Sequence, residues 1–346
     1  MPVYEIDPIT DPRWSELLQR DARASIFHTR GWLQALNKTY GYQPVALTTS
    51  SPEQSLTNGL VFCSVNSWVT GKRIVSLPFS DHCEPLGDMA GSFAEMVDYL
   101  LKLNRERSFK YSELRPRSSL AVCSEKLFQS ESYAFHAIDL RPTGDELYRG
   151  LHKDSIRRKV TRAEREGLTY ARGTTDTLLR DFYTLFVLTR KRHGVPPSPF
   201  QWFRNLIDCL GDKAEIRIAS KDGVPTAGLF MLKHGRTVVY KYGASDERFS
   251  NLGGTPFLFW KAISESKATG FEEMDLGRSD LDNEGLIVFK SRLGGARSDL
   301  HYWRLPVKAA KPANTLPGLE MAKKLFAIVP DSVRIGIGNL LYKHLG

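Results

Sequence analysis

The 346-residue sequence predicts a mixed α/β fold written twice, and three observations lead there. Apolar, strand-like segments are separated by short Gly-containing turns. A long amphipathic segment then precedes one further strand. The whole order recurs in the second half of the chain.

In the first half, PVALTTS around Val45–Thr49 reads as a strand, GLVFCSV at 59–65 as a second and RIVSLPFSD at 73–81 as a third, with Gly71 in the last turn. Phe93, Val97, Leu100, Leu101 and Asn104 fall at helical spacing over 93–108, and FKYSEL opens a closing strand. The second half repeats this with EIRIAS at 215–220, a DGVP turn, AGLFML at 227–232, RTVVYKYGASD at 236–246, a helix over 255–270 and the strand FEEMDLG. Pairing Gly59 with Gly228, Gly71 with Gly235, Ser80-Asp81 with Ser245-Asp246 and Phe109 with Phe271 gives offsets of 169, 164, 165 and 162. Strands joined by short turns must be antiparallel neighbours, whereas the helix before the fourth strand supplies the crossover a parallel pair requires. Each copy is therefore expected to be a mixed sheet with helices on its faces. Pro142 and Gly144 punctuate the chain between them. The expected domains are 1–141 and 142–306, with a basic tail at 307–346.

Hydrophobic residues make up 41% and charged residues 25%, which excludes disorder across the whole chain. The 48 Lys+Arg against 39 Asp+Glu give a net charge of +9, an attraction to polyanions. The opening MPVYEIDPITDPRWSELL lacks a basic n-region and an apolar core, and no apolar run approaches the ~18–20 residues of a membrane span. Cys63, Cys83, Cys123 and Cys209 form no CxxC pair and read as free thiols. A cytoplasmic location is the expectation.

The charge excess is concentrated. Over 152–166 stand Lys153, Arg157, Arg158, Lys159, Arg162 and Arg165 against Asp154, Glu164 and Glu166. Arg158, Arg162 and Arg165 share one helix face, with Ile156, Val160 and Ala163 opposite. Such a face either binds the phosphates of a nucleotide-linked substrate or a tRNA backbone, or is simply solvated. The tail carries a second excess, with MAKKLFAIV and VRIGIGNLLYKHLG as apolar-basic stretches. Residues 312–346 either touch an anionic membrane surface weakly or pack back on their domain.

Lys290, in IVFKSRLGG, is the first catalytic candidate. Acyl transfer to an amine passes through an oxyanion that a fixed cation stabilises, while the plain alternative is a surface lysine. Asp81-His82-Cys83-Glu84 gathers four reactive types. Consecutive side chains diverge, however, so substrate contact by Asp81 or His82, one of them taking the amine's proton, is preferred to a metal or thiol site. Asp275 and Arg278 in DLGRSD either bind substrate or pair with each other. Tyr240 and Tyr242, two apart on one strand, are expected on one side of it, lining a groove or the core.

Four stretches resemble the Gcn5-related N-acetyltransferase (GNAT) fold in tandem, and in particular the Fem family of peptidoglycan bridge-forming aminoacyl transferases and their BioF2-like acyltransferase relatives. They are FHTRGWLQAL (27–36), SIRRKVTRAEREGL (155–168), GGTPFLFWKAISESKATGFEEMDLGRSD (253–280) and VFKSRLGG (288–295). Leu293 replaces the aromatic more usual in the last of these. The resemblance implies amide formation on an amine acceptor, a cell-envelope or surface-polysaccharide precursor, with Lys290 near the reacting ester. The basic helix (Arg157, Arg158, Arg162) would border the substrate groove and Phe289 would contact substrate. It implies no tightly bound cofactor but a co-substrate, aminoacyl-tRNA or acyl-CoA. Coenzyme A-dependent members carry an Arg/Gln-x-x-Gly-x-Gly/Ala loop at a helix start. Here the place reads Arg248-Phe-Ser-Asn-Leu-Gly253-Gly254, with the wrong spacing, which favours aminoacyl-tRNA. The alternatives are an acyl-CoA-dependent N-acyltransferase and a non-catalytic module binding RNA or nucleotide-sugars.

Overall fold

The antiparallel trio and the parallel fourth strand expected of each copy are both present. The computed structural model describes residues 1–68, 70–118, 126–306 and 330–345. The chain divides into two units. One is Met1–Ser132, taken up again at Leu300; the other is Tyr133–Asp299. The division thus falls ahead of the 141–142 boundary read from the sequence.

The first unit contains, in order, β1 (Tyr4–Ile6), α1 (Pro12–Arg20), α2 (Arg30–Tyr40), β2 (Pro44–Thr48), β3 (Asn58–Ser67), β4 (Gly71–Val75), β5 (Leu86–Gly87), α3 (Phe93–Glu106) and β6 (Tyr111–Leu114). Strands β1 to β4 are successive antiparallel neighbours, and β4 pairs with β6 in parallel, Ile74 opposite Ser112. Along α3, Phe93, Met96, Val97, Leu100 and Leu103 recur on one stripe, and all are buried against Leu60, Phe62 and Ile74 of the sheet.

The chain continues through β7 (Phe128–Asp139), α4 (Gly144–Gly150), α5 (Arg158–Arg165), β8 (Thr169–Gly173), α6 (Asp176–Arg192), α7 (Phe200–Leu210), β9 (Ala214–Lys221), β10 (Val224–His234), β11 (Thr237–Ser245), α8 (Gly254–Ala268), β12 (Glu273–Asp280), α9 (Glu284–Arg292), β13 (Ala296–Pro306) and α10 (Asp331–Leu345). In the second unit β8 to β11 are successive antiparallel neighbours. Strand β11 pairs with β12 in parallel, Val238 opposite Met274. The topology of the first unit recurs, apart from the short β5, which pairs with β3.

What closes each sheet comes from the other copy's sequence. Strand β7, which follows the first copy, pairs antiparallel with β12 of the second unit; β13, which follows the second copy, pairs antiparallel with β6 of the first. This exchange explains why the division precedes Pro142: the segment before the Pro-Gly punctuation is already a strand of the second sheet. An ion-pair cluster anchors β13. Glu113 on β6 accepts from Arg115 Nε at 2.9 Å and Arg304 Nε at 2.8 Å, and Arg304 also reaches Glu131 at 2.9 Å.

In the second unit α6 and α7 cover one face of the sheet, with Phe182 and Phe203 against Phe230 and Phe186 packed on both Phe182 and Phe203. Helices α5 and α8 supply Val160, Ala163, Phe257, Phe259 and Ile263 to the core on the other face. Gly253, at the N-cap of α8, has φ +79°, and a Cβ there would collide with the Lys159 carbonyl. Only glycine lets α8 start this close to α5.

Of the tail, the stretch MAKKLFAIV lies outside the described residues. The other stretch forms α10. Tyr342 stacks near Phe79 at 5.9 Å, and the Lys343 carbonyl accepts from the Tyr42 hydroxyl at 2.8 Å. Among the described residues no helix is long and apolar enough to cross a membrane.

Candidate active site

The second unit holds a basic cavity of about 790 Å³, lined by Lys153, Arg157, Arg158, Lys159, Arg162 and Arg165 with Tyr148, Ser250 and Asn251; Asp154 is its one acidic lining residue. The backbone arranges this density of charge. His152 caps the segment, its Nδ1 accepting from Ser155 N at 3.2 Å. Arg157 N reaches back five residues to the His152 carbonyl at 3.1 Å, a wide π-type turn that runs directly into α5. Such turns rotate side chains out of α-helical register and are frequent at functional sites. Arg157 is brought alongside the Tyr148 ring, 6.0 Å from its centroid, and its buried Nε has no hydrogen-bond partner among the described residues. Arg158 and Arg162 stand on the exposed side of the helix with Arg165, loosely paired within it to Asp154 at 3.7 Å and Glu166 at 3.6 Å. Ile156, Val160 and Ala163 are buried, as the helical stripe requires.

A second cavity, of about 350 Å³, adjoins the first, sharing Lys159 and Ser250. Its wall is the first turn of α8 (Gly254, Thr255, Pro256), the end of β11 (Ser245, Asp246) and one side of α9 (Val288, Phe289, Arg292). Phe289 packs on Phe259 with ring centroids 5.6 Å apart. Pro256 removes one N–H from the helix terminus, and the Phe257 N–H bonds the Gly253 carbonyl at 3.1 Å. Gly254 and Thr255 N–H therefore head the turn.

Lys290 is adjacent to Phe289 but points elsewhere, since successive helical residues diverge by about 100°. It is 3% exposed, which dismisses the surface-lysine alternative. Its ammonium donates to the Gly277 carbonyl at 3.0 Å and the Arg278 carbonyl at 2.9 Å. Those carbonyls lie at a bulge in β12, where the register with β7 shifts between Asp275 and Arg278. Gly277 takes φ +70° there, and Asp275 Oδ1 accepts its N–H at 2.6 Å. Asp275 thus shapes the bulge, while the Arg278 guanidinium lies 4.1 Å over the Tyr133 ring. The paired stretch of β11 and β12 runs from Thr237–Glu273 to Val239–Asp275, so it ends just before the bulge.

Against the same turn of α9 sits His136 of β7, fully buried, its Nε2 3.1 Å from Ser291 Oγ. Burial, with the charges of Lys290 and Arg297, depresses its pKa to about 4. A histidine depressed from ~6.5 stays neutral in the fold while the unfolded chain takes up a proton, so stability is complete above ~6.5 and is lost as pH falls towards 4. Lowering the pH from 7 to 5 should cost about 2 kcal/mol through this residue. Urea midpoints of His136→Gln at the two pH values should differ less than those of the native chain; an unchanged difference would contradict it.

Two expectations are corrected here. Tyr240 and Tyr242 do not share a side. Strand β10 sets Phe230 opposite Tyr242 and Met231 opposite Tyr240, leaving Lys241 as the extra residue of a bulge. The bulge reverses the alternation. Tyr240 packs on Phe259 of α8 at 4.8 Å, whereas Tyr242 accepts from Trp202 Nε1 of α7 at 2.8 Å and meets Phe203 at 5.1 Å. Nor is 152–166 a single α-helix, because its first turn is the π-type turn. Asp81 and His82 fall in the first unit. The Asp81 carbonyl accepts from Tyr302 at 2.7 Å, and the 5%-exposed His82 packs its ring against Phe27 at 5.3 Å. Next to them, burial pushes the Cys83 thiol well above its ordinary value, so it is no thiolate nucleophile. Among the described residues no group of three His, Cys, Asp or Glu could hold a metal ion.

Sequence reasoning missed Tyr148, Ser250, Asn251 and His136. Ser250 and Asn251 were within sight, in the loop ahead of Gly253-Gly254. His136 was not, because only the strand exchange brings it beside α9.

The family model described as Acetyltransferase (GNAT) domain matches residues 151–289, a span that includes α5, α8 and Phe289 but leaves out Tyr148 and stops one residue short of Lys290. The UDP-N-acetylmuramoylpentapeptide-lysine N(6)-alanyltransferase of Weissella viridescens is 26% identical over 147 residues, 40% of this chain and 42% of that protein, so the match spans less than half of the relative. Among solved structures, FemX has a TM-score of 0.66 at 13% identity, covering 89% of this chain and 98% of FemX. L-PGS from Bacillus licheniformis gives 0.56 at 15% identity, with 92% and 98% covered. A tandem GNAT protein from the clavulanic acid pathway gives 0.55 at 10% identity, with 90% and 99% covered. At such identities the structural likeness establishes the fold: tandem GNAT-like domains.

Proposed function

We propose that this chain, with its two tandem GNAT-like domains, is a Fem-type aminoacyl transferase that joins an ester-activated amino acid to an amine of a cell-envelope precursor, with aminoacyl-tRNA as donor. The acceptor class follows the alanyltransferase relative, which by its name acts on the lysine of a UDP-linked muramoyl pentapeptide.

The observation that carries the donor is the 790 Å³ cavity with six cations and one carboxylate on its wall. A coenzyme A pyrophosphate needs two or three donors and a glycine cradle at a helix start. Here the first turn of α8 offers the Gly254 and Thr255 N–H groups and no more, because Pro256 withholds a third, and Gly253 serves the approach of α8 to the Lys159 carbonyl instead of a cradle. A polynucleotide end offers phosphates enough for the whole arginine face and a base to stack on Tyr148. The adjoining 350 Å³ cavity, beside Phe289, would take the terminal nucleoside and its ester.

Catalysis would rest on positioning plus the field of one buried cation. Lys290 sits next to the point where β11 and β12 cease to pair, its amine bonded to the Gly277 carbonyl. Its carbonyl contacts fix the ammonium in place, so what it contributes to a developing oxyanion is charge held without reorganisation.

The test is tRNA binding by the full chain at several salt concentrations. Arg157→Ala, Arg158→Ala and Arg162→Ala should each weaken binding and lower the slope of log K against log salt by about 1. Salt-independent binding, or stabilisation by acyl-CoA and not by tRNA, would overturn the donor assignment. Binding without amide formation would favour a non-catalytic module.

A further inference from the structure

We propose that the tip of the β3–β4 hairpin, with the last turn of α10, is a docking point for an anionic lipid surface. The site lies wholly in the first unit and does not depend on the transfer reaction.

Trp68, at the hairpin tip, is 80% exposed, whereas Trp14, Trp32 and Trp202 are fully buried. Its indole N–H donates to His344 Nε2 at 2.8 Å, which holds the ring out on the end of α10 instead of letting it fold onto the sheet. Leu340, one helical turn before His344, is 67% exposed. Arg73 reaches inward to the His344 carbonyl at 3.4 Å and locks the hairpin to the helix end. Around this apolar pair stand Lys72, Lys110 and Lys343, all exposed. Lys110 Nζ binds the Thr70 carbonyl at 3.1 Å, next to the tip. None of the three has an ion-pair partner among the described residues. The carboxylates nearest Lys110 along the chain are engaged elsewhere, Glu106 with Lys102 and Glu113 with Arg115 and Arg304.

A fixed, amphipathic indole beside an exposed leucine is the arrangement favoured at a membrane interface, apolar ring inward and polar edge wet. Unpaired lysines around it match an anionic leaflet, each adding attraction that falls off within a Debye length. RNA would use the lysines but has no demand for Leu340, so the lipid surface is the better fit. The contact expected somewhere in 312–346 is thereby relocated to a preformed point shared by the hairpin and residues 340–344.

The experiment is cosedimentation of the full chain with phosphatidylcholine vesicles, with and without phosphatidylglycerol. Binding should require phosphatidylglycerol and weaken in high salt. Trp68→Ala, and separately the combined Lys72→Glu, Lys110→Glu and Lys343→Glu, should each reduce it at least about tenfold without lowering the melting temperature. The native chain should show a blue shift of tryptophan emission on vesicles that Trp68→Phe lacks. Three results would overturn the proposal: no vesicle binding by the native chain, equal binding by both variants, or tRNA retention that depends on these lysines while vesicles leave the protein in solution.

Discussion

Replacing Lys290 by Met should lower turnover by about 10²–10³-fold, the usual cost of removing a preorganised charge from an oxyanion site. Methionine keeps most of the volume and removes the cation. The Gly277 and Arg278 carbonyls then lose their donor, and burying them unsatisfied should also destabilise the second unit by about 1–3 kcal/mol. The two consequences separate in measurement. A folded Lys290→Met protein that binds tRNA normally and transfers slowly assigns the ammonium to the reaction. Near-normal turnover would reduce Lys290 to a brace for the β12 bulge. Lys290→Arg should rescue little, since a planar guanidinium cannot occupy the same pair of carbonyls in a closed site.

The second large effect concerns the fold. Glu113→Ala should destabilise the protein by about 3–5 kcal/mol in urea denaturation followed by circular dichroism, because it strands Arg115 and Arg304 without their buried counter-charge. Arg304 lies on β13, the exchanged strand, so the first unit should lose the edge that β13 supplies to β6. Burial alone would raise the Glu113 carboxyl; the two guanidiniums more than offset it and hold it below its ordinary value. A depressed carboxyl contributes stability present above ~pH 4.3 and lost as pH falls through the native value, so Glu113→Ala should also flatten acid unfolding. A loss well under 1 kcal/mol would mean that β13 is held by its backbone ladder alone.

The repeat was legible because it is written in local signals: strand-length apolar runs, a Gly turn and a helical stripe, each readable without knowing what lies opposite. The basic face at Arg158, Arg162 and Arg165 was legible for the same reason. The exchange of β7 and β13 was not, since nothing in either strand's own residues names its partner. With the exchange went His136, whose role depends on a partner more than 150 residues away. Tyr240 and Tyr242 show a subtler limit. Alternation along β11 is a sound rule until one residue is inserted, and only the pairing with β10 reveals Lys241 as that residue. Lys290 lies between the two cases. Its apolar neighbours indicated a packed setting, but burial of the ammonium itself follows from Gly277 turning two carbonyls out of the ladder.

The most direct measurement is product mass. The full chain, given aminoacyl-tRNA and a UDP-linked muramoyl peptide bearing a free lysine amine, should yield an acceptor heavier by one amino-acid residue. The gain should map to that amine, disappear when the amine is blocked, and fall with Lys290→Met. An acceptor whose mass never changes with charged tRNA, or changes only when acyl-CoA is supplied, would contradict the account.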